Sequence, residues 1–199
     1  RPAARADPTR GQVIELGGRP VTLSDSSGWV HDSAGIDRAK LEFLRELKGA
    51  RRGRLSEYAK AHAGVEYTPA RDGAPRVWSA PVEVALPCAT QNELTEADAA
   101  ALVAGGAVAV AEGANMPTTP GAVRLLQQAG VLFAPGKASN AGGVATSGLE
   151  MTQNAQRMAW QREQVDRALE ALVVRIHRSC AETAARFGRP DDYVFGANV

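Results

Sequence analysis

Residues 135–151 place Lys137, Asn140, Gly142, Gly143, Val144 and Ser147 in one short run of mostly small side chains. Such a run lets the backbone approach a bound molecule closely, while a cation, an amide and a hydroxyl supply directional polar contacts. It follows the apolar segment 131–134, which reads as a buried strand, and it leads into a helical pattern from about Gly148. A glycine-rich bend between a strand's carboxyl end and a helix start is where open α/β sheets hold ligands. The plainer alternative is a flexible linker, but Gly/Ser linkers rarely carry Lys, Asn, Val, Leu and Met so close together. Ser147 can equally be a helix N-cap. Two more stretches follow strand patterns in the same way. Residues 86–94 carry Ala89, Thr90, Gln91 and Asn92, and residues 111–119 carry Glu112 and Asn115. The two asparagines can also serve as turn formers, and Glu112 can be structural.

The elements that must position these groups are legible as alternating strands and helices. Residues 12–17 read as a helix end stopped by Gly17 and Gly18, and residues 20–24 as a strand ending in Asp25. Asp37 can cap a helix with Leu41, Leu44 and Leu47 on one face, and residues 55–63 form a second short helix. Residues 71–75 read as a turn. Residues 82–86 form a strand stopped by Pro87. Thr95 with Asp98 resembles a capping box for a helix to Ala104. Residues 107–110 form a strand of small residues, and Thr119 with Pro120 opens a helix closed by Gly130. Helical patterns run from Gly148 to Trp160 and from Arg162 to Phe187. Strands alternating with helices imply a parallel sheet with right-handed crossovers.

Composition narrows the class. A chain of 199 residues with 44% hydrophobic and 23% charged residues suits a globular domain with a real core. A net charge of +1 gives no electrostatic case for nucleic acid or a membrane surface. No run approaches the ~20 apolar residues of a membrane span. Cys88 and Cys180 have no disulfide or metal spacing, and Cys180 reads as a core residue. His31, His62 and His177 are scattered, so no metal site is expected. A reducing, cytoplasmic compartment fits this cysteine usage. Lys48 and Arg51 lie one turn apart near a helix end, where cations commonly sit exposed beside the last carbonyls.

Residues 86–94, 111–119 and 135–151, with Asp25-Ser26-Ser27-Gly28 and the closing Gly196-Ala197-Asn198-Val199, resemble the nucleotide-binding domain of the NADP-dependent glutamate dehydrogenases. The similarity runs from about Gly11 to the end. The resemblance implies a Rossmann-like α/β fold, a parallel sheet with helices on both faces, incomplete at its N-terminal βα unit and followed by C-terminal helices. It divides the chain into a disordered tail or linker at 1–10, a partial dinucleotide-binding domain at 11–160 and a helical segment at 161–199. It implies NADP as cofactor, held by Asp25, Ser26, Lys48, Arg51, Ala89, Thr90, Gln91, Asn115 and Asn140. In this family Asp25 would receive ribose hydroxyls, while Ser26, Lys48 and Arg51 would favour the 2′-phosphate. Gly143, Val144 and Ser147 would meet the substrate, the hydroxyl holding its side-chain carboxylate and Val144 packing on its methylenes. The implied reaction is reversible deamination of L-glutamate to 2-oxoglutarate and ammonia, in a cytoplasmic homo-oligomer, typically a hexamer.

Parts of the family pattern are not found. No Gly-x-Gly-x-x-Gly precedes the strand that ends in Asp25. The family's catalytic lysine and aspartate belong to another domain, and they map to none of Lys40, Lys48, Lys60 or Lys137. The expectation is therefore the cofactor domain of a longer enzyme, inactive alone and contributing no catalytic residue. Two other readings compete with it. One is a non-catalytic dinucleotide-fold module. The other is a sister dehydrogenase acting on leucine or phenylalanine, against which the Ser147 hydroxyl argues.

Overall fold

The computed structural model describes residues 7–71 and 76–199. Helix α1 (Asp7–Glu15) precedes a three-stranded antiparallel sheet, β1 (Thr22–Asp25), β2 (Gly28–Asp32) and β3 (Val65–Pro69). Between β2 and β3 lie α2 (Arg38–Arg45), a wider helical turn Glu46–Ala50, and α3 (Leu55–Ala61). After a single turn, Val77–Ser79, comes a parallel sheet of β4 (Val84–Ala85), β5 (Ala109–Ala111) and β6 (Leu132–Ala134). Helices α4 (Glu96–Ala104) and α5 (Pro120–Gln128) form its crossovers. The chain closes with α6 (Gly136–Ser139), α7 (Gly142–Gln156), α8 (Arg162–Arg186) and α9 (Tyr193–Asn198).

The parallel sheet matches the expectation; the antiparallel one corrects it. Ser26 and Ser27 form a two-residue link between β1 and β2, and Asp25 lies opposite Gly28. A connection that short can only join antiparallel strands, because a parallel neighbour needs a crossover of about a dozen residues. Strand β2 alternates buried Gly28, Val30 and Asp32 with half-buried Trp29 and His31. Its buried position at Asp32 is polar, so the apolar alternation that marks a strand is broken in the sequence. The Asp32 carboxylate accepts from Lys40 Nζ and from the Tyr58 hydroxyl, each at 2.7 Å, and those two donors let a charge sit in the core.

Two further segments differ from expectation. Asp7 to Arg10, expected in an unstructured tail, belong to α1, where Pro8 fits the first turn because its absent N–H would have had no helical partner. Positions 1–6, and 72–75 of the expected turn at 71–75, lie outside the described residues. The glycine-rich run is not an open bend. Residues 136–139 form one helical turn and α7 begins at Gly142, six residues before Gly148. A Cβ at Gly142 would meet only Leu169 of α8, at 4.0 Å, so no close approach there requires glycine.

Two apolar cores correspond to the two sheets. Leu23, Val30, Ile36, Leu44, Leu47, Leu55 and Tyr58 fill the antiparallel half. Leu94, Leu102, Val110, Leu126 and Phe133 fill the parallel half. The helix starts behave as read. The Asp37 carboxylate accepts from Lys40 N, Thr95 and Asp98 form a reciprocal capping box, and Thr119 caps α5 with Pro120 in its first turn. Of the C-terminal helices, the long α8 packs on α6, α7 and α9, while the short α9 returns to β6.

The α8–α9 seam is backbone on backbone. A Cβ added at Gly196 would fall on the Cys180 carbonyl oxygen. Gly196→Ala is therefore expected to destabilise the chain by about 2 kcal/mol or more, in the range of overpacked cores. Gly148→Ala, in mid-helix with nothing within 4 Å, should stabilise it by ~0.5–1 kcal/mol. Thermal melts of both variants check this, and equal effects would contradict the seam.

Candidate functional site

The carboxyl ends of β4, β5 and β6 lie side by side, with Ala85 opposite Val110 and Ala111 opposite Ala134. The segments leaving them form a common rim, as parallel sheets dictate. A buried carboxylate ties the rim together. Glu112 Oε2 accepts from Gly136 N at 2.6 Å, and its Oε1 accepts from Thr118 N at 3.2 Å. Ser139 Oγ donates to the Glu112 carbonyl at 2.6 Å. The approach is close enough that a Cβ at Gly136 would lie 2.8 Å from the Ala114 carbonyl oxygen. The glycine that close packing requires is thus Gly136. Gly143 faces open space.

Asn140 and Asn115 are brought together. Asn140 Nδ2 donates to the Asn115 side-chain oxygen at 2.7 Å and to the Ala114 carbonyl at 3.0 Å. Thr90 and Gln91 are exposed on the adjacent segment, whose conformation depends on a residue the motif reading passed over. Glu93 Oε1 accepts from Ala89 N at 2.8 Å. Burial raises the Glu93 pKa, against the opposing pull of the Ala89 and Thr90 N–H groups and Arg76. The only hint in the sequence was a glutamate spaced to fold back on the Ala-Thr pair. The rim segments after β4 and β5 also pair with each other. Asn92 N donates to the Met116 carbonyl and Leu94 N to the Pro117 carbonyl, each at 2.9 Å, and Thr119 N returns to Leu94 O at 3.0 Å.

Helix α7 carries Gly143, Val144 and Ser147. Val144 and Met151 are 79% and 70% exposed, and Ser147 lies on the same face at helical spacing. The Ser147 hydroxyl donates to the Gly143 carbonyl at 3.3 Å inside the helix. That position excludes the N-cap alternative. An apolar stripe with one hydroxyl is left uncovered on the helix that follows the rim residue Asn140.

At the antiparallel sheet, Asp25 is engaged on all sides. Its Oδ1 accepts from Ser27 N at 2.8 Å and Ser27 Oγ at 2.6 Å. Its Oδ2 accepts from Lys48 Nζ at 2.7 Å and Leu55 N at 3.3 Å. Four donors fill the lone pairs of a carboxylate. The Asp25 side chain is turned inward and 2% exposed. Lys48 is likewise held inside, donating to Asp25 and to the Gly53 carbonyl at 2.9 Å. The outward charge is arginine. Arg51, Arg52 and Arg54 are exposed. Arg51 pairs with Glu57 at 3.1 Å, and Arg54 Nη1 donates to the exposed Ser26 hydroxyl at 2.9 Å. Arg54 is the residue the sequence reading missed here.

Among the described residues, no group of three His, Cys, Asp or Glu could hold a metal ion, and no helix is long and apolar enough to cross a membrane.

An α/β chain whose parallel strands end at one common rim belongs to the class of open α/β folds, in which ligands sit at that edge. More particularly, the sequence profile described as Glutamate/Leucine/Phenylalanine/Valine dehydrogenase matches residues 8–199, and the chain belongs to that family. It is 53% identical over 188 residues to the NADP-specific glutamate dehydrogenase of Escherichia coli K12, covering 94% of this chain and 41% of that protein. The NAD(P)-specific glutamate dehydrogenase of Xylanibacter ruminicola is 50% identical over the same span. Among solved structures, Plasmodium falciparum glutamate dehydrogenase superposes with a TM-score of 0.89 at 39% identity, covering 97% of this chain and 41% of that one. A hetero-hexameric glutamate dehydrogenase of Thermus thermophilus gives 0.74 at 26% identity, covering 96% and 41%. The chain thus spans about two-fifths of the length of these relatives.

Burial alone would raise the Asp25 pKa, but Lys48 and the Ser27 donors outweigh it and hold the carboxyl below its ordinary value. Asp32 behaves in the same way, with Lys40 and Tyr58 as the donors. These stabilising contributions are complete above the unfolded-state value of ~3.9. They disappear as pH falls through the lower folded-state values. Urea melts should accordingly show stability falling below about pH 4, with a shallower fall in Asp25→Asn. Lys48→Met leaves the carboxylate buried without its cation and should cost about 3–5 kcal/mol at neutral pH. A Lys48→Met chain as stable as wild type would show that the pair carries no structural weight.

Proposed function

We propose that the whole protein to which this chain belongs catalyses reversible, NADP-dependent oxidative deamination of L-glutamate to 2-oxoglutarate and ammonia. In this reading the chain provides the cofactor side of the cleft and one wall of the substrate pocket. The observation that carries it is the uncovered face of α7, where the exposed Val144 and the Ser147 hydroxyl follow closely in the chain on the rim residue Asn140. An apolar patch with a single hydroxyl suits a substrate whose methylenes end in a carboxylate. The names of the close relatives point the same way.

The residues present fit the cofactor. Exposed Arg51, Arg52 and Arg54 surround the sequence position of a phosphate-selective turn, and Arg54 already holds the Ser26 hydroxyl. The one nearby carboxylate, Asp25, is neutralised by Lys48 and does not repel a 2′-phosphate. Lys48 thus contributes to NADP preference through Asp25, while Arg51, Arg54 and Ser26 meet the phosphate. Ala89, Thr90, Gln91, Asn115 and Asn140 offer amides and hydroxyls at the carboxyl edge for ribose and carboxamide. When bound, NADP supplies the hydride acceptor. The protein side chains orient it, hold the substrate carboxylate at Ser147 and pack its methylenes on Val144. Proton transfer is assigned to groups outside residues 1–199. A cytoplasmic homo-oligomer, typically a hexamer, is the proposed assembly; the Thermus thermophilus relative is a hetero-hexamer.

Two outcomes test this in the whole protein. Ser147→Ala should lower kcat/KM for glutamate roughly 10–100-fold, with cofactor KM little changed and norvaline turnover much less affected. Unchanged glutamate kinetics would remove Ser147 from the pocket and reopen the sister-dehydrogenase reading. Arg54→Glu and Arg51→Glu should each weaken NADP binding about 10–100-fold, as expected for loss of a charge-assisted bond, with NAD affinity largely kept. Equal losses for both cofactors in titration calorimetry would refute the phosphate assignment.

A further inference from the structure

The segment that leaves β4 is tied to the segment after β5 at both of its ends. Gly113 N and Ala114 N donate to the Pro87 carbonyl, and Asn92 and Leu94 donate to Met116 and Pro117. Between those ties, Glu93 folds back and holds residues 89 and 90. Its Oε1 accepts from Ala89 N at 2.8 Å, and Thr90 N is a second donor to the carboxylate. A carboxylate that takes two successive backbone N–H groups fixes the backbone that carries them. The side chains of Thr90 and Gln91 stay exposed. Glu93 is held at its other end as well. Its carbonyl accepts from Arg76 Nη2 and, at 3.2 Å, from Trp78 Nε1. Arg76 Nη1 pairs with Asp98 at 3.1 Å, and Asp98 closes the capping box of α4. A line of bonds thus runs from the start of α4 through Arg76 and Glu93 to the 89–91 segment.

We propose that Glu93 is a positioning residue for the cofactor: its carboxylate holds residues 89–91 in the shape that meets the nicotinamide ribose and carboxamide, and Arg76 holds Glu93 in turn. This rests on the cofactor reading of that segment. Burial opposes the charged form of Glu93, so the carboxylate is kept at a cost that a neutral residue would not carry. What the carboxylate supplies in return is acceptor capacity. Once protonated it has an O–H of its own and hydrogen-bonds much as an amide does. The charged and titratable groups around it are Arg76, with Asp98 behind it, and along the same cleft Arg19, His31, Glu83 and Cys88. Removing a negative charge would by itself favour an anionic cofactor. The sign of the change therefore separates positioning from simple electrostatics.

The test measures NADP affinity and steady-state kinetics in the whole protein. Glu93→Ala should lower kcat/KM for NADP about 10–100-fold, the cost of misplacing a bound group by about an ångström, with the glutamate KM little changed. Glu93→Gln keeps one acceptor oxygen and should recover part of that loss. The wild type's advantage over Glu93→Gln should shrink as pH is lowered from about 8 to about 5, toward the raised Glu93 value, because titration of the cofactor's own phosphate is common to both proteins. Arg76→Gln should weaken NADP binding in the same direction. Thr90→Val and Gln91→Ala test the underlying reading. If they weaken NADP binding and Glu93→Ala does not, the positioning role alone is overturned. If none of the three does, the cofactor reading of the segment fails with it. Tighter NADP binding in Glu93→Ala, a lowered melting point with wild-type NADP affinity, or a Glu93→Gln protein equal to wild type at every pH would each overturn the proposal.

Discussion

The Glu112 carboxylate is the constraint on which the rim geometry depends. It is 6% exposed and takes its donors from two different segments, Gly136 N and Thr118 N. A buried carboxylate is tolerable only when its lone pairs are filled. Here the donors are backbone groups, so the carboxylate fixes the course of the chain itself. Ser139 then locks the start of the C-terminal helices onto the Glu112 carbonyl. Asn140, Asn115 and the uncovered face of α7 all inherit their positions from this clamp.

The antiparallel half follows a similar logic with cations. Asp25 with Lys48, and Asp32 with Lys40 and Tyr58, are inward carboxylates answered by inward donors. Their charges cancel locally and contribute to architecture. The guanidinium groups of Arg51, Arg52 and Arg54 remain outside. A chain with net charge +1 can therefore present a concentrated positive surface at one turn. Isolated lysines at buried distances and arginines at exposed ones divide the work in keeping with their chemistry.

The sequence made much of this legible. The capping residues Asp37, Thr95 with Asp98, and Thr119 marked helix starts because those interactions are local. The small residues of β5 marked a strand, but not one covered on both faces: only Val110 of its three residues is buried, and Val108 beside it is exposed. The antiparallel hairpin was hidden because Asp32 is buried only through partners eight and twenty-six residues away. The helical glycine-rich run was hidden because glycine's poor helix propensity argues against a helix there. Ligand roles at Thr90, Gln91 and Asn115 were suggested by position after a strand, but the inward turn of Asp25 and Lys48 was not. Residue type gives charge, and only three-dimensional partners decide which way the charge points.

The pairing between the segments after β4 and β5 has a consequence for motion. Leu94 and Thr118 bridge in parallel beyond the ends of the strands, and Asn92 and Met116, both in left-handed backbone conformations, fasten the tips. These segments look like loops in the sequence, yet they are bonded to one another as the strands are. Segments built this way have little freedom to fold over a ligand as a flap. Any closing of a cleft against this rim must come from the sheet and its helices tilting as one rigid plate.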